Sequence, residues 1–256
     1  MKISHIYFCF LLLFILHSKS FSQVNTEKFR QNADSTGLTE NFNVEGTAIT
    51  GNTDFQFISL GGNLNYNWGN DYTFLVIDGG IGWKDGESFS NQALMHLRHV
   101  VSTGGILQLE IFTQYDFNKD RLLLNRELIG GGIRLKIYTN ESFKIRYGLA
   151  YMFEHELYEL PFISRGDRNI FTHRVSSYAT LEIELQKYLL FSSVTYFQPD
   201  VEDLSDYRII SENTFKVIMG KLVDLNIKFN LRYDSLPPET VKKLDIISKF
   251  GLSFKI

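Results

Sequence analysis

Residues 222–233 read Leu-Val-Asp-Leu-Asn-Ile-Lys-Phe-Asn-Leu-Arg-Tyr. From Val223 every second residue is apolar: Val223, Leu225, Ile227, Phe229, Leu231 and Tyr233. The residues between are Asp224, Asn226, Lys228, Asn230 and Arg232. A strand projects successive side chains to opposite faces, so this segment has one apolar and one polar face. The same alternation is clean over 143–153, where Phe143, Ile145, Tyr147, Leu149, Tyr151 and Phe153 oppose Lys144, Arg146 and, just beyond, Glu154. It is clean over 107–116 and again from Leu244 to Ile256, and blurred in 42–50 and 72–83.

Working outward, the pattern predicts twelve strands: 42–50, 55–66, 72–83, 89–101, 105–116, 124–138, 143–154, 171–186, 189–198, 207–218, 221–233 and 243–256. Each has the ~9–11 residues, or more, that a tilted membrane-spanning strand requires. Turn residues separate them, as in Gly51-Asn52-Thr53-Asp54, Lys84-Asp85-Gly86-Glu87, Ser102-Thr103-Gly104-Gly105 and Thr139-Asn140-Glu141. Long connections are expected at 155–170, 199–206 and 234–242, all after odd-numbered strands. Outer-membrane barrels place short turns in the periplasm and long loops outside, which fits an even strand count with both ends inside.

The N-terminus supplies an export signal. Lys2 is followed by an apolar run from Ile6 to Leu16 and by Ser18, Ser20 and Ser22, the layout of a signal peptide cleaved after Ser22. Residues 1–22 are thus read as the signal, 23–40 as a polar periplasmic segment and 41–256 as the barrel. Cleavage removes Cys9, the single cysteine, and shifts the net charge from −3 to −5 by removing Lys2 and Lys19. No disulfide or thiol chemistry is expected in the mature chain, and its mild acidity argues against a nucleic-acid partner. No later apolar stretch is long enough for a membrane helix, so a membrane-bound chain must cross as strands. The rival is a water-soluble antiparallel barrel or sandwich with the apolar face turned inward. The signal, the aromatic and leucine-rich apolar face and the alternating final strand favour an all-β antiparallel transmembrane barrel of the outer-membrane type.

In such a barrel the polar face lines the lumen. The candidate lining residues are Arg98, Glu110, Arg126, Arg134, Arg146, Arg174, Glu182, Glu184, Asp224, Lys228, Arg232 and Asp245. Eight strands are filled by side chains and sixteen leave a channel, so about twelve predict a narrow or blocked lumen. The expected role is a structural barrel or a narrow passive pore for small polar solutes or ions. The alternative is surface binding through the long loops, especially 155–170 with His155, Glu156, Tyr158, Glu159, Phe162, Arg165, Asp167 and Arg168. A membrane-embedded hydrolase is a third reading. His96 and His99 fall on opposite strand faces, His173 has Ser176 on the opposite face, and His155 lacks the second histidine of a zinc-protease helix. No catalytic residue, metal or cofactor is therefore expected. The expected partners are outer-membrane lipid, the barrel-assembly machinery during insertion and small polar solutes.

Three segments carry a family resemblance: Gly51-Asn52-Thr53-Asp54; the stretch from Arg126 through Gly130-Gly131-Gly132-Ile133-Arg134; and Tyr233-Asp234-Ser235-Leu236-Pro237-Pro238-Glu239 with Lys242-Lys243-Leu244-Asp245. In their order the chain resembles, over about residues 36–256, the bacterial family described as salt-induced outer-membrane proteins (domain of unknown function 481). The resemblance implies a β-barrel, no established activity and no catalytic residues to carry over.

Overall fold

Both faces of the repeating pattern find their use in one antiparallel meander. The computed structural model describes residues 36–50, 54–161, 166–220 and 223–254. Twelve strands follow in order: β1 (Gly37–Ile49), β2 (Phe55–Asn67), β3 (Tyr72–Lys84), β4 (Glu87–Ser102), β5 (Leu107–Asn118), β6 (Leu123–Thr139), β7 (Phe143–Tyr158), β8 (Asn169–Gln186), β9 (Leu189–Pro199), β10 (Tyr207–Ile218), β11 (Val223–Asp234) and β12 (Leu244–Phe254). Each pairs antiparallel with its sequence neighbours in a single sheet. Among the described residues no ladder joins β1 to β12.

The sheet nevertheless curls. Arg121, in the 3-10 turn Lys119–Arg121 before β6, meets Asp245 of β12 at 2.6 Å. Six strand spacings of ~4.8 Å would separate these strands by about 29 Å in a flat sheet. Arg208 of β10 reaches Glu154 of β7 at 2.7 Å, and Tyr178 of β8 reaches Glu110 of β5 at 3.1 Å. The concave faces therefore meet across an interior.

That interior is polar and the convex surface apolar. Arg98, Glu110, Arg126, Glu154, Arg174 and Arg208 are buried, while Leu60, Ile111, Ile129, Tyr151, Phe171, Phe229 and Phe250 are exposed. A soluble barrel has the opposite polarity, so the water-soluble alternative is excluded and the chain has the fold of an outer-membrane barrel. The expected lipid-side residues Val223, Leu225, Phe229 and Phe250 lie on the convex face. The side chain of Phe254 falls outside the described residues.

The blurred alternation of β3 has a cause. Its inward residues Tyr72, Phe74 and Val76 pack with Leu94 and Val100 of β4 in an apolar cluster inside the barrel, so both faces of β3 are apolar. Glycine clears room elsewhere. A Cβ on Gly130 would lie 2.5 Å from the Phe112 ring, and one on Gly148 would clash with the Tyr178 ring. Both aromatic side chains need the glycine's empty face to lie flat against the inner wall. At Asp85-Gly86 both φ angles are positive (50° and 84°), the two-residue turn suited to strand twist. Residues 51–53 of the expected first turn lie outside the described residues.

Two boundaries need correction. β1 begins at Gly37, so residues 37–40 are strand and not part of the polar lead-in; backbone pairing of Gly37–Glu40 with Leu64–Asn67 fixes them without any apolar period. β7 extends to Tyr158 and β8 starts at Asn169, which makes the long connection 159–168 and moves His155 and Glu156 out of it. His155 stacks on Phe171 at 4.4 Å on the outer face, and Glu156 is drawn inward by Arg208. The longest connections remain those after β7, β9 and β11.

Candidate functional site

The lumen at the long-loop end is filled by an ionic network. Its centre is Glu154 of β7, fully buried at 0% exposure. Its Oε1 accepts from Arg174 Nε at 3.1 Å and Arg208 Nη1 at 2.7 Å, and its Oε2 lies 3.6 Å from Arg126 Nε. Arg208 also donates from Nη2 to Glu156 (2.8 Å) and from Nε to Asp234 (3.1 Å), so every guanidinium nitrogen is used. Arg174 forks onto Asp206 through Nη1 (3.2 Å) and Nη2 (2.8 Å), tying β8 to the connection after β9. Arg126 faces Asp116 at 3.2 Å. Burying charges is costly, and it is tolerated when each ion has counter-charges close by: Arg174 and Arg208 hydrogen-bond to theirs, whereas Arg126 lies between Asp116 and Glu154 as an ion pair without a hydrogen bond.

Above this network the ends of the wall are covered. Leu123, Tyr158 and Leu160 form a buried apolar cluster, and Ser235 Oγ accepts from the Tyr207 amide (2.7 Å) while donating to Ser205 O (2.8 Å). Burial pushes the Arg121 guanidinium in the 3-10 turn down to about 10, against the pull of Asp245.

Below it a second tier continues the chain of bonds. Gln114 Nε2 donates to Asp116 at 2.7 Å, and Gln114 Oε1 lies 3.1 Å from His96 Nδ1. Arg98 Nε donates to His96 Nε2 at 3.3 Å. Arginine can only donate, so Nε2 accepts and the ring is neutral with its proton on Nδ1. Arg98 also pairs with Glu110 at 3.0 Å and sits 4.8 Å from the Phe112 ring centre. One continuous polar path thus runs from Glu110 to Asp234.

Toward the short-turn end the polar side chains of β8 and β11 are more exposed. Glu182, Glu184 and Lys228 are exposed, and Arg146 pairs with the half-exposed Glu182 at 2.5 Å. Lys216 pairs with the buried Asp224 at 2.9 Å.

The twelve candidate lining residues therefore divide by height. Arg126, Arg174, Arg232 and Asp245 belong to the upper network or its rim, with Arg232 3.9 Å from Asp234. Arg98, Glu110 and Arg134 occupy the middle, Arg134 donating to Gln108 at 3.2 Å. Arg146, Glu182, Glu184, Asp224 and Lys228 lie toward the short-turn end. Sequence reasoning missed Asp116, Glu154, Glu156, Asp206, Arg208 and Asp234 as partners. The spacing of Glu154 and Glu156 on the face of Lys144 and Arg146 carried a signal, had β7 been extended to 158.

Three of the four described histidines lie on the outer face, each beside a polar partner. His99 faces outward with Nδ1 2.9 Å from Thr73 Oγ1, His155 Nε2 lies 2.7 Å from Asn169 Oδ1, and His173 Nδ1 lies 2.6 Å from Tyr151 Oη. Among the described residues no three metal-ligating side chains converge.

Solved structures similar to the chain include the NanC porin (8% identical, TM-score 0.49, covering 86% of this chain and 99% of that one). Two others are the translocator domain of the autotransporter NalP from Neisseria meningitidis (10% identical, TM-score 0.46, 99% and 96%) and the β domain of the Bordetella autotransporter BrkA (10% identical, TM-score 0.37, 85% and 97%). No curated protein sequence matches the chain. A family model matches residues 46–256, from within β1 through the whole of the wall, and the chain belongs to the family it describes, Protein of unknown function, DUF481.

Proposed function

We propose that the protein is an outer-membrane barrel whose lumen is closed by its own side chains, serving as a structural barrel rather than an open pore. The carrying observation is the Arg126–Arg174–Arg208 cluster around the buried Glu154. Long side chains from β6, β7, β8 and β10 meet there and take up lumen space a solute would need. Export through the residue 1–22 signal and the long connections at one end support an outer-membrane location with the network on the outer side. Lipid is the partner of the apolar wall, and the barrel-assembly machinery its partner during insertion.

The test is conductance in planar bilayers. The wild-type barrel should show no steady current, whereas removing the upper network with Glu154→Ala and Arg208→Ala should open one. Steady wild-type conductance would refute closure. The exposed charges of the short-turn end favour a second reading in which small ions enter as far as the network and pass only when it parts. Rare, brief openings in the wild-type record, lengthened by Glu154→Gln, would mark that behaviour.

A further inference from the structure

The convex wall carries polar groups where hydrocarbon should lie. On β9 and β10 the outward rows read Phe191, Ser193, Thr195, Phe197 and Tyr207, Ile209, Ser211, Asn213, Phe215. Register places Ser193 opposite Asn213 and Thr195 opposite Ser211, at the middle of both strands. Ser193 Oγ donates to Asn213 Oδ1 (2.8 Å), Asn213 Nδ2 donates to Ser211 Oγ (3.1 Å), and the Thr195 and Ser211 hydroxyls lie 2.9 Å apart. Ala179 continues the row on β8. Outward residues near mid-height elsewhere include Ile111, Ile129 and Phe229, exposed and apolar, while the outward Thr113 and Ser177 each donate to a backbone carbonyl of the wall (Leu128 O at 3.0 Å, Phe197 O at 3.2 Å).

These bonds use one lone pair and one N–H of the Asn213 carboxamide and leave one of each facing out. Lipid tails cannot bond them, and the site is too deep in a ~25 Å apolar band for headgroups. Only another protein surface can complete them. Hydroxyls and a carboxamide both donate and accept, so this surface is its own complement across a two-fold axis. The small side chains also form a dent between Phe191–Phe215, stacked at 4.7 Å, and Phe197–Tyr207 at 5.7 Å. Small residues let two membrane walls approach closely. We infer that the β9–β10 face is a dimer interface, and that its occupant is a second copy of this chain.

Cys9 is the only cysteine, so a Cys9→Ser background makes single-cysteine mapping unambiguous. Ser211→Cys in outer membranes should cross-link to a dimer with a short bis-maleimide, whereas Ile111→Cys on the opposite wall should remain monomeric. Adding Asn213→Leu to Ser211→Cys should lower dimer yield by about three- to thirtyfold, the range for hydrogen bonds between membrane segments. Unheated gel migration confirms that each variant is folded. The inference is overturned by a monomeric Ser211→Cys, by equal dimer from both cysteine positions, by an adduct with a different protein, or by full yield in a folded Asn213→Leu variant.

Discussion

Replacing Glu154 with glutamine tests the ionic interior most directly. The change preserves volume, so no cavity term enters. It removes the one anion shared by Arg126, Arg174 and Arg208. Breaking a buried pair typically costs about 3–5 kcal/mol. Each arginine keeps another anion (Asp116, Asp206, and Asp234 with Glu156 respectively), which argues for the lower end of that range. Glu182→Gln is the control. It also removes a carboxylate paired with arginine, but at 47% side-chain exposure, where such pairs contribute about 0–1 kcal/mol. Urea unfolding of barrels refolded in vesicles, read by the migration of unheated samples, compares the two. At a slope of about 3 kcal/mol per molar, Glu154→Gln should shift the midpoint down by about 1 M and Glu182→Gln by less than about 0.3 M. Equal shifts would show that the upper network does not behave as a desolvated ionic cluster.

Phe229→Arg, at the middle of β11 on the convex face, should cost about 2–4 kcal/mol in lipid, while Leu225→Arg, two residues from the strand's start, should cost about 0–1 by the same unfolding assay. Gly148→Ala should displace the Tyr178 ring and its 3.1 Å bond to Glu110, costing about 1–3 kcal/mol; a variant with wild-type stability would show that the wall gives freely. In the connection after β9, bonds from the Ser205 hydroxyl and then its amide hold the Asp203 carboxyl below its ordinary 3.8. A lowered acid stabilises the fold above its unfolded value and loses that contribution as pH falls through the folded one. Exchange protection of the Ser205 amide should therefore be constant above about pH 4 and fall in more acid solution, with Asp203→Ala unprotected throughout.

The wall was legible because a period of two survives in most strands: alternation alone located β5 and β11 to within two residues at each end and β7 over its first twelve residues, and Asp85-Gly86 announced its hairpin. β3 was hard because an internal apolar cluster turns its inward residues Phe74 and Val76 into the same residue types as its outward ones. The network was half legible. Arg126 and Arg174 could be placed on the polar face, but which charges on the neighbouring strands or in the connection after β9 they would meet could not, and Arg208 draws its partners from a strand three places away. Nothing in a one-dimensional pattern says that Glu154 and Arg208, 54 residues apart, meet. Glu156 and Asp234 were taken for loop residues because polarity rises there, yet the strands continue, held by backbone pairing and drawn inward by Arg208.

The ladders and the network also differ in the order of time. Each ladder joins consecutive strands, so the wall can be zipped hairpin by hairpin. The ionic contacts span 20 residues for Arg174–Glu154, 52 for Arg208–Glu156 and 124 for Arg121–Asp245. Distant closures carry a larger entropic toll and come after near ones. Until then the arginines and carboxylates remain hydrated, and a half-zipped sheet keeps a wet, charged concave side that has little tendency to stick to its neighbours. Contacts that form after the transition state govern departure from the native state rather than arrival at it. The barrel should therefore assemble at a rate indifferent to its charged centre and come apart at a rate set by it.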